Sequence, residues 1–161
     1  MTRTPIETVR EYAEAKSRAD IEAALATCRH DAVLETVPFQ VVGRGRAEAA
    51  GHLAGFFRAF PDYSVELEYL HDTADLVVGA GTIRATMAGP LAGIEPTGRR
   101  FALPFACHWR VRDGLISQER FFFDFHHMCE QLGLSTDAAA ARFDAWRGAA
   151  RAAAPEAGRP S

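Results

Sequence analysis

The chain has 161 residues, 48% of them apolar and 24% charged, with a formal charge of −3. That length suits one domain with a core and a pocket, burying about 70% of the surface of the unfolded form. The balance excludes general disorder, and the charge offers no basic field for nucleic acid or anionic lipid.

Seventeen of the eighteen basic residues are scattered arginines, and Lys16 is the single lysine. The three cysteines, Cys28, Cys107 and Cys129, form no C-x-x-C pair. No apolar run approaches the ~20 residues of a membrane span, and the first ten residues lack a signal-type apolar segment. A reduced, cytoplasmic protein is the expectation.

In chain order, Thr4-Pro5-Ile6-Glu7 predicts a helix start with Thr4 as N-cap and Glu7 reaching back. Ile6, Val9, Tyr12 and Ala13 form its apolar stripe. Asp20 caps a shorter helix that turns Ile21, Ala24, Leu25 and Cys28 inward. Residues 32–42 are β-branched and predict one strand, stopped by Gly43 and Gly45. Residues 46–60 return to helical spacing, with Ala49, Leu53, Phe56, Phe57 and Phe60 on one side.

After Pro61 the period becomes two, with Tyr63, Val65, Leu67 and Tyr69 alternating against polar residues. Residues 76–89 read as a long strand whose glycines suggest a bulge, and 89–100 as a loop. Two further strands flank Asp113-Gly114, a strong hairpin signal. A short helix follows, closed by Gly133, then an Ala-rich amphipathic helix over 136–152. Its Phe143 and Trp146 either cover the pocket or pad a dimer. The predicted organisation is a domain over 1–134, an added helix over 135–153 and a disordered tail over 154–161.

Helices followed by a meandering antiparallel sheet is an α+β order. A long curved sheet wrapped around the N-terminal helices would enclose a pocket near its middle.

With Asp113-Gly114 at the turn and an unbroken register, Trp109 lies opposite Gln118, Cys107 opposite Arg120, and Phe105 opposite Phe122. These residues, with Leu103 and Asp124, predict one aromatic face with a few polar groups, which suits a small-molecule pocket. His108 and Glu119 fall on the other face, and a single bulge would bring them inside. Phe121 and Phe123 on that face point to a sheet-mediated homodimer.

Asp124 has two readings, a helix N-cap and a general base. Glu35, alternating with Val33 and Val37, is a second acid–base candidate. Tyr12, Phe56 and Phe60 are candidate pocket residues. His126, His127 and Cys129 do not make a metal site, because consecutive helical residues diverge. Cys107 is a small apolar filler, and His52 and His71 are surface residues. No phosphate loop, nucleotide fingerprint or Ser–His–Asp pattern is present.

The sequences AFPDYSVELE (59–68), GIEPTGRRF (93–101), WRVRDGLI (109–116) and ERFFFDFHHMCEQLGL (119–134) resemble the SnoaL-like polyketide cyclases, often called ester cyclases. The resemblance covers about residues 6–134. It implies the cone fold shared with ketosteroid isomerase and nuclear transport factor two, usually dimerised through the sheet. It also implies a cofactor-free intramolecular aldol cyclisation of a hydrophobic carbonyl compound, with Asp124 as general base and acid. Characterised members place a His on the strand facing that Asp, whereas here Cys107 holds the inward position. A pocket so short of polar groups also suits a non-catalytic binding module for a hydrophobic molecule.

Overall fold

The computed structural model describes residues 3–154. Most of the residues assigned to a tail, 155–161, lie outside it. Five helices and six strands follow in the order α1 (Pro5–Ser17), α2 (Ile21–Ala26), β1 (Cys28–Thr36), β2 (Val41–Arg44) and α3 (Gly45–Ala59). Then come β3 (Ser64–Thr73), β4 (Leu76–Thr86), β5 (Arg100–Arg112), β6 (Leu115–Phe123), α4 (Phe125–Leu132) and α5 (Thr136–Ala153). The strands form one unclosed sheet, ordered β2-β1-β6-β5-β4-β3. Only β1 and β6 run parallel; every other neighbouring pair is antiparallel. The α+β order expected from the period change and the cone implied by the resemblance are the fold observed.

The helix starts are chemically specified. The Thr4 hydroxyl accepts from the Glu7 amide at 3.2 Å, and the Thr4 amide donates to Glu7 Oε2 at 2.8 Å. The two orphan donors at the start of α1 are therefore satisfied reciprocally. Asp20 caps α2 through the Ala23 amide, and Gly133 closes α4 in the left-handed conformation at φ 71°. The inner face of the sheet meets α1, α3 and α4 in a continuous apolar core that includes Val9, Tyr12, Phe60, Leu103 and Met128. Along β5 buried and exposed residues alternate without a break, as expected for a strand with one face on a core.

Three expectations are corrected. The stretch 32–42 is not one strand. Val37–Phe39 forms a 3-10 turn, Gln40 takes φ 52°, and β1 and β2 pair antiparallel on either side. Pro38 lacks the amide that a continuing ladder needs.

The alternation of β3 shifts between Leu67 and Tyr69, so Leu70 packs against the core while Tyr69 is half exposed. Opposite this bulge, a Cβ on Gly81 would lie 1.9 Å from the Glu66 carbonyl oxygen. Only glycine lets the two backbones approach so closely.

The third correction is the hairpin. Asp113 and Gly114 both take positive φ, at 53° and 73°, as a tight two-residue turn demands, and Arg112 faces Leu115. Between Arg110 and Val111 the register shifts, because Val111 faces Ile116 and Arg110 faces Gln118. Ser117 is the additional residue. From there on β6 is inverted relative to an unbroken register, so Glu119, Phe121 and Phe123 turn inward. Gln118, Arg120 and Phe122 turn to the outer face.

Candidate active site

Between the sheet, α1, α3 and α5 lies a cavity of about 430 Å³, within the range of small-molecule sites. Its walls are largely apolar and include Leu53, Phe56, Phe121 and Phe123. Four polar side chains, Tyr12, Lys16, Tyr63 and Glu119, line it from α1, the start of β3 and β6, and all four are buried.

Glu119 is 4% exposed. The Tyr12 hydroxyl donates to its Oε1 at 3.0 Å, and the Trp109 indole donates to its Oε2 at 2.7 Å. The Cys107 thiol lies 3.9 Å from Oε2. A buried carboxylate needs such donors, since desolvation without them is expensive.

Lys16 is one turn beyond Tyr12 on α1 and is 9% exposed. Its Nζ lies 5.0 Å from the ring centre of Tyr12, 5.2 Å from that of Phe121 and 5.7 Å from that of Tyr63. Such a box of rings attracts a cation. Desolvation is the largest single influence on the ammonium and pulls its pKa down. The negative Glu119 leads the opposing influences, and the net direction is upward. Lys16 is therefore a cation at neutral pH, not an amine nucleophile.

Burial raises Tyr12 well above the ordinary phenol value, with Glu119 adding to the rise, and it raises Tyr63 to about 12. Both remain hydrogen-bond donors. Burial, aided by Glu119, also pushes Cys107 well above the ordinary thiol value. Cys107 is a buried thiol behind the cavity wall, in keeping with a filler role.

The cavity's roof is α5. Phe143 stacks on Phe39 with ring centres 4.5 Å apart, and Arg147 Nη1 donates to the Phe39 carbonyl at 2.6 Å. Trp146 meets His52 edge-on at 5.9 Å. Of the two roles open for Phe143 and Trp146, both side chains take part in covering the pocket.

The sequence-derived candidates divide. Tyr12 and Phe56 line the cavity. Phe105, Cys107, Trp109 and Phe60 face inward but stand one layer behind the wall: Phe105 stacks on Phe121 at 5.0 Å, and Phe60 packs against Phe101 at 5.3 Å. Gln118, Arg120 and Phe122 are displaced outward by the Ser117 bulge.

Glu35 is outward as well. It pairs in register with Arg120, which donates to its Oε2 at 2.8 Å, while Leu34 and Thr36 take the cavity face of β1. The bulge brings in Glu119 but leaves His108 outside, because it inverts only β6. Phe121 and Phe123 accordingly move from the dimer face to the cavity.

Asp124 is exposed and caps α4, its Oδ1 accepting from the His127 amide at 2.9 Å, and it does not line the cavity. His126 and His127 are engaged with Thr136 and Gln131, and no cluster of three metal-ligating side chains exists among the described residues.

Lys16 and Tyr63 are not among the site residues expected from the sequence, and Glu119 is expected inside only if β6 carries a bulge. The signal for Lys16 is its spacing: it continues the Val9–Tyr12 stripe by one turn, and it is the only lysine in a chain otherwise restricted to arginine. No comparable signal marks Ser117 as a bulge.

The SnoaL-like polyketide cyclase family matches residues 6–132. Among curated proteins, none matches. Of solved structures, IdmH from Streptomyces antibioticus, a candidate polyketide cyclase, is 27% identical with a TM-score of 0.71, over 82% of this chain and 100% of that one. AclR from Streptomyces galilaeus, a candidate hydroxylase, is 23% identical with a TM-score of 0.67, over 78% and 92%. A protein with a ketosteroid-isomerase-like fold from Catenulispora acidiphila, solved with trimethylamine, is 20% identical with a TM-score of 0.74, over 84% and 98%. The last two likenesses show the fold alone.

Proposed function

We propose that this chain, which belongs to the SnoaL-like polyketide cyclase family, is an enzyme that performs acid–base chemistry on a hydrophobic, carbonyl-bearing small molecule. The chemistry uses the protein's own side chains, with intramolecular aldol closure as the leading reaction.

The observation that carries the proposal is Glu119, a buried carboxylate held by two donors on the wall of an apolar cavity. Taking a proton from carbon beside a carbonyl needs a base that is fixed in place and shielded from bulk water. In the proposed step Glu119 takes the α-proton, the electron pair moves onto the carbonyl oxygen, the enolate carbon attacks a second carbonyl of the same molecule, and the alkoxide so formed takes the proton back from Glu119. Tyr12 and Trp109 hold the carboxylate in position. The aromatic wall favours flat substrates.

Asp124 is the base that the family resemblance names, and it occupies that motif position. Its exposure and its cap bond favour Glu119 instead. The experiment is turnover of aromatic β-ketoesters, followed by mass spectrometry and chromatography. A cyclised product formed by wild type and Asp124→Asn, but lost in Glu119→Gln, supports the proposal. The opposite pattern returns the role to Asp124.

One observation favours a second reading, a non-catalytic carrier: both oxygens of Glu119 already accept protein hydrogen bonds. A bound ester recovered unchanged after long incubation supports that reading.

We also propose a homodimer through the outer sheet face. Three features support it: the row Ala80, Ala106 and Phe122 across β4, β5 and β6, the exposed Val78, and the half-exposed Tyr69. Sedimentation gives its mass directly.

A further inference from the structure

Lys16 is the one lysine of the chain, nine-tenths buried, and its Nζ makes no hydrogen bond or ion pair among the described residues. It is nevertheless not sealed off: among the described residues no fully occluded side-chain nitrogen or oxygen lacks a partner, so the ammonium keeps contact with the cavity that it lines. Tyr63, a residue 4% exposed on the same wall, likewise makes no side-chain hydrogen bond among the described residues. A buried ammonium with unspent donors is costly unless something it binds uses them.

Glu119 is the one buried carboxylate among the described residues, and it balances the Lys16 charge from outside ion-pair distance. Arg58 and His52 also line the cavity, from α3. The charges of Lys16 and Glu119 thus cancel on this wall, while the ammonium donors are not taken up by protein acceptors among the described residues.

We propose that Lys16, with Tyr63 on the same cavity wall, is an oxyanion site, and that the preferred ligands are weak oxygen or carbon acids whose conjugate base places its charge on an oxygen: enols, phenols and ketones acidified by conjugation. This rests on the reading of Glu119 as proton acceptor. On binding, the ligand's O–H or C–H proton passes to a Glu119 oxygen, and the bonding pair stays with the ligand. The negative charge moves from the carboxylate to the ligand oxygen facing Lys16. The charge of the cavity is the same before and after. Lys16 therefore stabilises the ionised ligand without paying for a new buried charge.

A neutral hydrocarbon gains nothing from this arrangement. A permanently anionic carboxylate is opposed by Glu119, which has no proton to accept from it. The ligand class is thereby narrowed from hydrophobic molecules in general to flat conjugated acids.

The test is the ionisation of bound 2-naphthol, read by its absorbance and fluorescence excitation at pH 6, well below the pH at which it ionises in water. It needs no substrate and no turnover. The expected result is a bound naphtholate in the wild type, and at least a tenfold lower ionised fraction in Lys16→Met, whose fold is checked by circular dichroism. Naphthol that binds the wild type but stays neutral overturns the inference and leaves Glu119 chemistry and the pocket standing. That arm needs no variant, so a misfolded Lys16→Met does not rescue the idea. Equal ionisation in a folded Lys16→Met also overturns it. No binding at saturating naphthol overturns both the inference and the reading of the cavity as a site for aromatic ligands.

Discussion

The Trp109 indole donates to Glu119 Oε2 at 2.7 Å, and the two residues face each other directly across the β5–β6 pair. That pairing exists because Ser117 adds one residue to β6 before Glu119. In an unbroken register, with Ser117 paired to Arg110, Gln118 would stand opposite the indole and Glu119 would point to the outer face. A single bulge thus decides which carboxylate meets the cavity, in keeping with the habit of bulges to re-aim side chains near sites.

Trp109→Phe keeps an aromatic ring and removes the donor, leaving one oxygen of a buried carboxylate short of a partner. The expected loss is about 2–4 kcal/mol, combining the missing charged hydrogen bond with a residual cavity. Urea unfolding measures it. A change below about 0.5 kcal/mol would mean that the indole bond does not hold Glu119 in place.

The thiols are expected to be inert. Burial raises all three cysteines, taking Cys28 to about 12, and none is exposed. Thiolate is the reactive form. The folded protein at pH 8 should therefore react with a thiol reagent orders of magnitude more slowly than the unfolded chain, at all three positions. Rapid labelling of Cys107 in the folded state would restore a nucleophile to the site.

Acidification should loosen the fold through histidine. Burial lowers the pKa of His52, partly offset by Glu48, and burial followed by Arg120 and Arg110 lowers that of His108. Each binds its proton less well folded than unfolded. Their contribution is complete above the unfolded value of ~6.5 and is lost as pH falls through that value towards the lower folded pKa. His52→Gln should flatten part of the fall in melting temperature between pH 7 and pH 5.5. NMR titration should place the His52 imidazole below the ordinary value. A His52 titrating above ~6.5 would contradict the half-buried setting beside Trp146.

The roof makes its own demand. Phe143 stacks on Phe39 and meets Phe125 edge-on at 5.9 Å. Phe143→Ala should cost about 3 kcal/mol or somewhat less, since the site adjoins a cavity that can relax. It should also weaken aromatic ligands at least tenfold while leaving the Tyr12–Glu119 pair intact. Calorimetry reads the two effects separately. Unchanged ligand affinity would show that α5 packs on the pocket without closing it.

What the sequence discloses follows from how local each determinant is. The caps at Thr4 and Asp20, the Asp113-Gly114 turn and the alternation along β5 are set by neighbours a few residues away, and each is legible. The family-bearing stretches around Pro61, Gly93 and Gly133 lead to the same cone. Bulges are different. Nothing near Ser117 or Glu68 in the sequence announces that the strand will slip, because the choice depends on the partner strand and on what the core accepts. The consequence is specific: the inward face of β5 is legible and that of β6 is inverted. Arg120, Gln118 and Phe122 are thereby exchanged for Glu119, Phe121 and Phe123. Glu35 is displaced for a related reason, since β1 pairs parallel with β6 and its phase follows its neighbour.

The most direct test of Glu119 as the acid–base group is exchange of the α-protons of an aryl methyl ketone with solvent deuterium, followed by NMR. The ketone is chosen for slow background exchange. The wild type should accelerate exchange, Glu119→Gln should lose roughly 10²–10⁴-fold of that rate, and Asp124→Asn should stay within about threefold of wild type. Loss of exchange in Asp124→Asn with full retention in Glu119→Gln would contradict the assignment and return the chemistry to the strand-end aspartate.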